Sequence, residues 1–137
     1  MKYNDIKFLY AIRGNRGVEL NEENALKIIE WNNKLKLSEI YATLSRDTVT
    51  WKDEVSDEER DIFLKIMKEN NIKVHLFDTL KEAVETVIDI AQKDDVVMFA
   101  GCQGMDKAGR IGLNYILEKN NSYDREEILF PLKDRIV

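Results

Sequence analysis

Cysteine, histidine and proline are nearly absent from this sequence, with one of each among 137 residues. A single cysteine excludes an internal disulfide and favours a reducing, cytoplasmic setting. One cysteine and one histidine also give no basis for a transition-metal site. With one proline, six glycines and 44% hydrophobic residues, the chain does not have the composition of a disordered protein. We therefore expect one folded domain that spans residues 1–137.

An excess of positive charge and long apolar runs are also missing. The formal net charge is -5 and the sequence pI is about 5.0. Proteins that bind nucleic acids or acidic membranes are usually basic, so neither partner is expected. No apolar run approaches the length of a membrane span, and the first residues do not have the pattern of a signal peptide.

Four strand-like segments alternate with four amphipathic segments of helical period. The strand-like segments are 6–12, 39–44, 72–77 and 96–100. This alternation predicts an α/β fold with three αβα layers, a Rossmann-like arrangement around a mostly parallel sheet of four to six strands. The tail, residues 120–137, is polar and then apolar around Pro131, which favours an added edge strand.

Local signals place the helix starts and one buried strand. Ser56 and Glu59 have the spacing of a capping box, and so do Thr79 and Glu82. Asn21 is predicted to cap the first helix. The five apolar residues 96–100 predict a strand that is covered on both faces.

Polar and charged residues follow three of the predicted strands. In open α/β sheets, ligands bind at the carboxyl ends of the strands, near the point where the strand order reverses. The residues expected there are Arg13, Asn15 and Arg16, then Ser45, Arg46 and Asp47, then Gln103, Asp106, Lys107 and Arg110. Several cations beside helix N-termini would suit a phosphate or carboxylate ligand. The alternative is that these arginines are ordinary solvated surface residues.

The two glycine turns do not match a nucleotide-binding motif. Gly14-Asn15-Arg16-Gly17 and Gly101-Cys102-Gln103-Gly104 differ from the dinucleotide fingerprint, and Gly-Lys-Ser/Thr occurs nowhere. The chain therefore has no recognisable means of holding ATP phosphates and magnesium unaided. Cys102 lies between a strand and a helix, where some thiolate nucleophiles are found, although a structural thiol is the alternative interpretation.

Three segments of the chain match the motifs of one family. They are Tyr10-Ala11, the stretch Ala42-Thr43-Leu44-Ser45-Arg46-Asp47, and the stretch from Leu80-Lys81-Glu82-Ala83-Val84 through Asp94-Asp95-Val96-Val97-Met98-Phe99-Ala100-Gly101 to Gly104-Met105-Asp106. Together they resemble the C-terminal domain of the Mur ligases. That domain carries an Asp-Tyr-Ala-His motif and a Gly-Asp-Val-Val-Leu-Leu-Ala-Gly-Lys-Gly-His-Glu run. Leu9 and Ile12 replace the family's aspartate and histidine.

The resemblance implies part of an ATP-dependent ligase of cell-wall peptidoglycan precursor synthesis or a related pathway. Mur ligases join an amino acid or peptide to a carboxylate through an acyl phosphate made from ATP. Their central domain holds the P-loop and magnesium. Their C-terminal domain presents the amino acid and closes over the nucleotide. The chain alone would then be inactive, and its partner would be a P-loop ligase domain in the same chain or a separate one.

The resemblance also implies roles for individual residues. Amino-acid binding falls to Ser45, Arg46, Asp47, Gly104 and Asp106, with Arg46 on the carboxylate and Asp106 on the amino group. Arg13, Asn15 and Arg16 would face the nucleotide cleft, and Lys107 and Arg110 would be further anion-binding residues. No catalytic residue and no metal ligand is implied. Two alternatives remain: a stand-alone Rossmann-like module that binds a small anionic ligand, and a thiol enzyme that uses Cys102.

Overall fold

A computed structural model describes residues 4–133 and contains one parallel β-sheet. Its strands are β1 (Ile6–Ala11), β2 (Glu39–Thr43), β3 (Lys73–Phe77) and β4 (Val96–Ala100). They lie in the order β3-β2-β1-β4, and every neighbouring pair is parallel. The carboxyl ends of all four strands therefore meet at one edge of the sheet, as the alternating pattern predicted.

Helices cover both faces of the sheet. They are α1 (Val18–Leu35), α2 (Asp57–Glu69), α3 (Leu80–Ile90), α4 (Ala108–Lys119) and the short α5 (Arg125–Leu129). α1 packs on α2, and α3 packs on α4. The predicted three-layer αβα architecture is confirmed. Within residues 4–133 no helix has both the length and the apolar character needed to cross a bilayer.

The core is two apolar clusters that share strand β1. Side chains alternate between the faces of a strand, so Phe8 and Tyr10 point into the cluster beneath α1 and α2. Leu9 and Ala11 point into the other cluster, beneath α3. The Tyr10 ring stacks on Phe63 of α2, with the ring centroids 5.2 Å apart. β1 is thereby buried on both faces, and the loops that follow it start from a fixed position.

Helix capping agrees with the predictions in part. The Ser56–Glu59 box is complete, since the Ser56 side chain accepts from the Glu59 N–H and the Glu59 carboxylate accepts from the Ser56 N–H. Thr79 accepts from the N–H of Glu82, which is one half of the second predicted box. The prediction for Asn21 was wrong. α1 begins earlier, at Val18, and Asn21 lies inside its first turn.

Two predictions about the end of the chain also differ from the structure. All five residues of β4 are half-buried, because β4 is the last strand on its side of the sheet within residues 4–133. The tail contributes no strand over residues 120–133. It forms α5 and then a 3-10 turn that contains Pro131. Residues 134–137 of the expected edge strand lie outside the described part of the chain.

Phe63 tests the packing between α2 and the sheet. The substitution Phe63→Ala removes a side chain with 0% exposure and should lower the free energy of unfolding by about 3–5 kcal/mol. Phe130→Ala is the matched control, because that phenylalanine is 68% exposed, and its effect should stay within about 0.5 kcal/mol. Urea denaturation measures both. Similar losses in the two variants would show that Phe63 is not part of the core.

Candidate functional site

The loops after β1, β2 and β4 meet at the carboxyl edge of the sheet. The Ser45 hydroxyl donates to the carbonyl oxygen of Gly104 at 2.6 Å, which joins the loop after β2 to the loop after β4. A Cβ added to Gly101 or Gly104 would lie 3.0 Å from the Cβ of Ala11. The backbone after β4 therefore approaches the end of β1 more closely than larger residues would allow. The predicted convergence of the three strand ends is present.

The strand order reverses between β1 and β4, and a recess lies there. β2 and β3 extend the sheet to one side of β1, and β4 lies on the other side. The recess is bounded by backbone and side chains of the first and fourth strand ends and of the segment after β2: Ala11, Ile12, Arg13, Gly14, Val49, Asp53, Cys102, Gln103 and Gly104. A switch point of this kind is the usual ligand position in open α/β sheets.

Arg13 is the cation that lines this recess. Its side chain is partly buried, and its Nε atom is buried without a hydrogen-bond partner among the described residues. A buried donor that stays unpaired is costly, so a rearrangement of the side chain that gives this atom an acceptor would be favourable. A guanidinium can bind a carboxylate or phosphate through two parallel hydrogen bonds. The arrangement therefore suits an anionic group.

The N-terminus of α1 is already occupied by a carboxylate of the chain itself. Glu59, which is 4% exposed, reaches from α2 to the loop before α1. Its two oxygens accept hydrogen bonds of 3.0–3.2 Å from the backbone N–H groups of Asn15, Arg16, Gly17 and Ser56 and from the side-chain amide of Asn21. The N–H groups of Asn15, Arg16 and Gly17, in the turn that leads into this helix, are therefore not free for a ligand, because Glu59 takes them.

The ionisation of Glu59 follows from these contacts. Burial disfavours its charged form, but the hydrogen bonds from the backbone of Ser56, Arg16 and Gly17 outweigh burial, and the pKa of Glu59 is lowered. The carboxylate is therefore charged at neutral pH. It acts at the end of α1 in the manner of a bound anion.

Arg46 and Asp47 are turned toward the end of β3. The Asp47 carboxylate accepts from the backbone N–H groups of Leu80 at 2.7 Å and Lys81 at 3.1 Å, at the start of α3. The Arg46 guanidinium pairs with Asp78 at 2.9 Å. Both residues contact the segment that leads into α3, and a ligand bound to either would compete with these contacts.

The remaining predicted residues are placed as follows. Arg16 is exposed and lies 3.9 Å from Asp53, while its Nη1 donates to the Asn15 carbonyl oxygen. Asp106 and Lys107 are exposed, just after the 3-10 turn Gln103–Met105. Arg110 lies in the first turn of α4. Asp106, Lys107 and Arg110 thus follow β4, as Gly104 does.

Cys102 is exposed on the wall of the recess, and no histidine lies beside it. The single histidine, His75, lies on β3, and two strands separate β3 from β4. Its Nε2 is 3.0 Å from Glu39, and its ring stacks on Tyr41. Within residues 4–133 no cluster of three or more histidine, cysteine or acidic side chains is arranged to hold a metal ion.

The sequence patterns missed two contributors to the recess, Val49 and Asp53. Both lie in the long segment between β2 and α2, where the 3-10 turn Trp51–Asp53 interrupts an otherwise irregular path. A Cβ on Gly14 would lie 2.0 Å from the Asp53 carbonyl oxygen. The glycine therefore allows this segment to close over the end of β1. Gly14 was the available signal for so close an approach.

No protein-family model matches the chain, and no match to it was found among curated proteins. The similarity to Mur ligases therefore depends on the motif residues themselves.

Glu59→Gln tests the internal anion at α1. The amide keeps the shape of the side chain but removes the charge and presents donors to donors, so the free energy of unfolding should fall by about 2–3 kcal/mol. Glu58→Gln is the matched control, because Glu58 is an exposed neighbour in the same first turn. Its effect should be within about 0.5 kcal/mol. Equal losses at neutral pH in urea denaturation would contradict the assignment.

The lowered pKa of Glu59 predicts how this stabilisation depends on pH. It is fully present above the ordinary glutamate pKa of about 4.3, and it is lost as pH falls through the lower pKa of the folded state. The difference in unfolding free energy between the native chain and Glu59→Gln should therefore shrink in acid. Urea titrations at a series of pH values measure it. A difference that stays constant to the acid limit would show that Glu59 gains nothing from ionisation.

Proposed function

We propose that this chain acts as the C-terminal substrate-binding domain of a Mur-type ATP-dependent ligase that forms amide bonds. In this role it recognises an amino acid or peptide and closes over a nucleotide held by a separate P-loop domain. A peptidoglycan precursor or a related molecule would accept the amino acid. The proposal assigns recognition and closure to this chain and no bond-making step.

One observation supports the proposal most directly: the three motif segments meet at the switch point. Tyr10 of β1 lies beside Ala100 of β4 in the parallel register. The stretch after β2 reaches the stretch after β4 through the hydrogen bond from Ser45 to Gly104. Segments that carry the resemblance from distant parts of the sequence thus meet at the carboxyl edge of the sheet, and Ala11 and Gly104 from two of them line the recess. This is where a ligand of an α/β sheet is expected.

The contacts at the carboxyl edge of the sheet change which residues we assign to the ligand. Arg46 and Asp47 are engaged with Asp78 and with the start of α3. Arg13 lines the recess, and its Nε is buried without a partner among residues 4–133, so we assign this residue the anionic group of the ligand. Asp106 and Lys107 are exposed at the same edge and are assigned the amino group and a second anionic group.

ATP and magnesium fit this proposal only through the separate domain. The sequence has no Gly-Lys-Ser/Thr motif to cradle phosphates. Closure of the two domains would bring Arg16 to the nucleotide and exclude water from the acyl phosphate. The same recess would also serve a stand-alone module that binds a small anion, and the unpaired Nε of Arg13 favours that second candidate equally.

Arg13→Gln tests the ligand site in the isolated chain. We expect an amino acid such as diaminopimelate to raise the melting temperature of the native chain, since a ligand that binds the folded state stabilises it. Loss of the charged hydrogen bonds should weaken binding by about tenfold or more. Arg125→Gln, an exposed arginine of α5, is the control and should bind as the native chain does.

The outcomes separate the two candidates. Stabilisation by amino acids that Arg13→Gln abolishes supports the ligase domain, whereas stabilisation by inorganic phosphate or pyrophosphate alone supports the stand-alone module. Binding that is equal in both arginine variants would exclude the recess. Release of phosphate from ATP by the isolated chain would contradict a domain that is inactive alone.

A further inference from the structure

The two edge strands of the sheet, β3 and β4, differ in whether they carry charged residues. Edge strands normally carry charges, bulges or proline that prevent pairing with another strand. β3 carries the exposed Lys73 and also His75, which is 3.0 Å from Glu39. β4 consists of five uncharged residues, Val96–Ala100, all half-buried. Within residues 4–133 no further strand pairs with β4.

The backbone direction of β4 is fixed by its pairing with β1. The N–H of Val96 donates to the Asp5 carbonyl oxygen at 2.9 Å, so the backbone groups of Val96 face β1. Successive residues of a strand direct these groups to opposite sides. The N–H and C=O groups of Val97 and Phe99 therefore face away from the sheet, at the open edge.

An apolar groove lies next to this edge. It has a volume of about 340 Å³ and is formed between α1 and the strands β1 and β4, with Tyr10, Ile28, Trp31 and Met98 among its walls. Trp31 is 63% exposed. A contiguous apolar surface beside an unprotected strand edge is typical of a protein–protein interface.

We propose that β4 pairs antiparallel with β4 of a second copy of the chain, about a twofold axis at Met98. In this register Val97 of one copy lies opposite Phe99 of the other, and Phe99 lies opposite Val97. These are the residues whose N–H and C=O groups face outward, so each copy supplies the donors and acceptors that the other needs. β4 of one copy can therefore satisfy β4 of another copy, and no strand from a different protein is required.

Charge and side-chain chemistry agree with this pairing. No like charges oppose one another along the five uncharged residues of the strand. The twofold axis also brings the turn Asp94-Asp95 of one copy to the carboxyl end of β4 in the other, where Asp106 and Lys107 are both exposed. The charges there largely cancel, so the outward backbone groups of Val97 and Phe99 determine this register. The result is an isologous dimer with one continuous eight-stranded sheet.

Hydrogen exchange with sedimentation on the native chain tests the proposal. From micromolar to millimolar concentration we expect a monomer–dimer shift, with the exchange of the Val97 and Phe99 amides slowed by about tenfold or more. Val74 and Leu76 are internal controls. Because the Lys73 N–H donates toward β2, to the Ser38 carbonyl oxygen, the amides of Val74 and Leu76 face outward at the other edge. Their exchange should not change with concentration.

A pair of proline variants adds a second readout. Val97→Pro removes an outward N–H at β4 and leaves the bonds to β1 in place, so it should abolish the dimer. Leu76→Pro removes the corresponding donor at β3 and should leave the dimer intact. A monomer at every concentration would overturn the proposal. So would a dimer in which the Val97 and Phe99 amides exchange as fast as in the monomer, which would place the interface elsewhere.

Discussion

The carboxylate of Glu59 holds the end of β1 in place. It connects the first turn of α2 to the loop before α1, across 42–44 residues of sequence. In that loop Asn15 and Gly17 have φ values of 53° and 93°. Positive φ is unfavourable for asparagine and easy for glycine. The three hydrogen bonds that this loop donates to Glu59 offset this strain, so the loop that carries Arg13 and Arg16 has one defined path.

An acidic side chain also accepts backbone hydrogen bonds at a second helix. This limits which groups at the carboxyl edge of the sheet can bind a ligand. Asp47 occupies the N-terminus of α3 as Glu59 occupies that of α1. Helix N-termini often bind phosphate in α/β proteins. Here the chain's own acids take the N–H groups of the loop before α1 and of the first two residues of α3, so these donors are not free for an anion. Arg13 lies in the recess with its Nε unpaired, and the proposed site is accordingly built on a guanidinium.

Local sequence signals predicted the elements of this fold better than the contacts between them. The alternation of strands and helices, and the Ser56–Glu59 box, follow from spacing within a few residues. The hydrogen bond that Gly17 donates to Glu59 and the one that Leu80 donates to Asp47 join distant residues. No pattern within a short window encodes them. Their effect was to take up donors that the sequence analysis had assigned to a ligand.

The errors at the end of the chain have a similar physical cause. Five consecutive apolar residues predict a strand, but they do not tell whether a neighbour covers it, and β4 proved to be an edge within the described residues. The apolar run near Pro131 was interpreted as a strand. Asp124 instead caps a helix by accepting from the N–H of Glu126 at 3.0 Å. The apolar residues suit either a strand or a helix, and the Asp124 cap favours the helix.

We propose that the Arg13 guanidinium, and not the backbone N–H groups before α1, receives the anion. An NMR titration of the isolated chain with pyrophosphate observes both groups at once. We expect the Nε–Hε signal of Arg13 to shift and its Hε proton to exchange more slowly with water. The backbone amide signals of Asn15, Arg16 and Gly17 should not shift, because these amides remain hydrogen-bonded to Glu59. Shifts of those amides beside an unchanged Arg13 signal would mean that the ligand displaces Glu59, which would contradict the account.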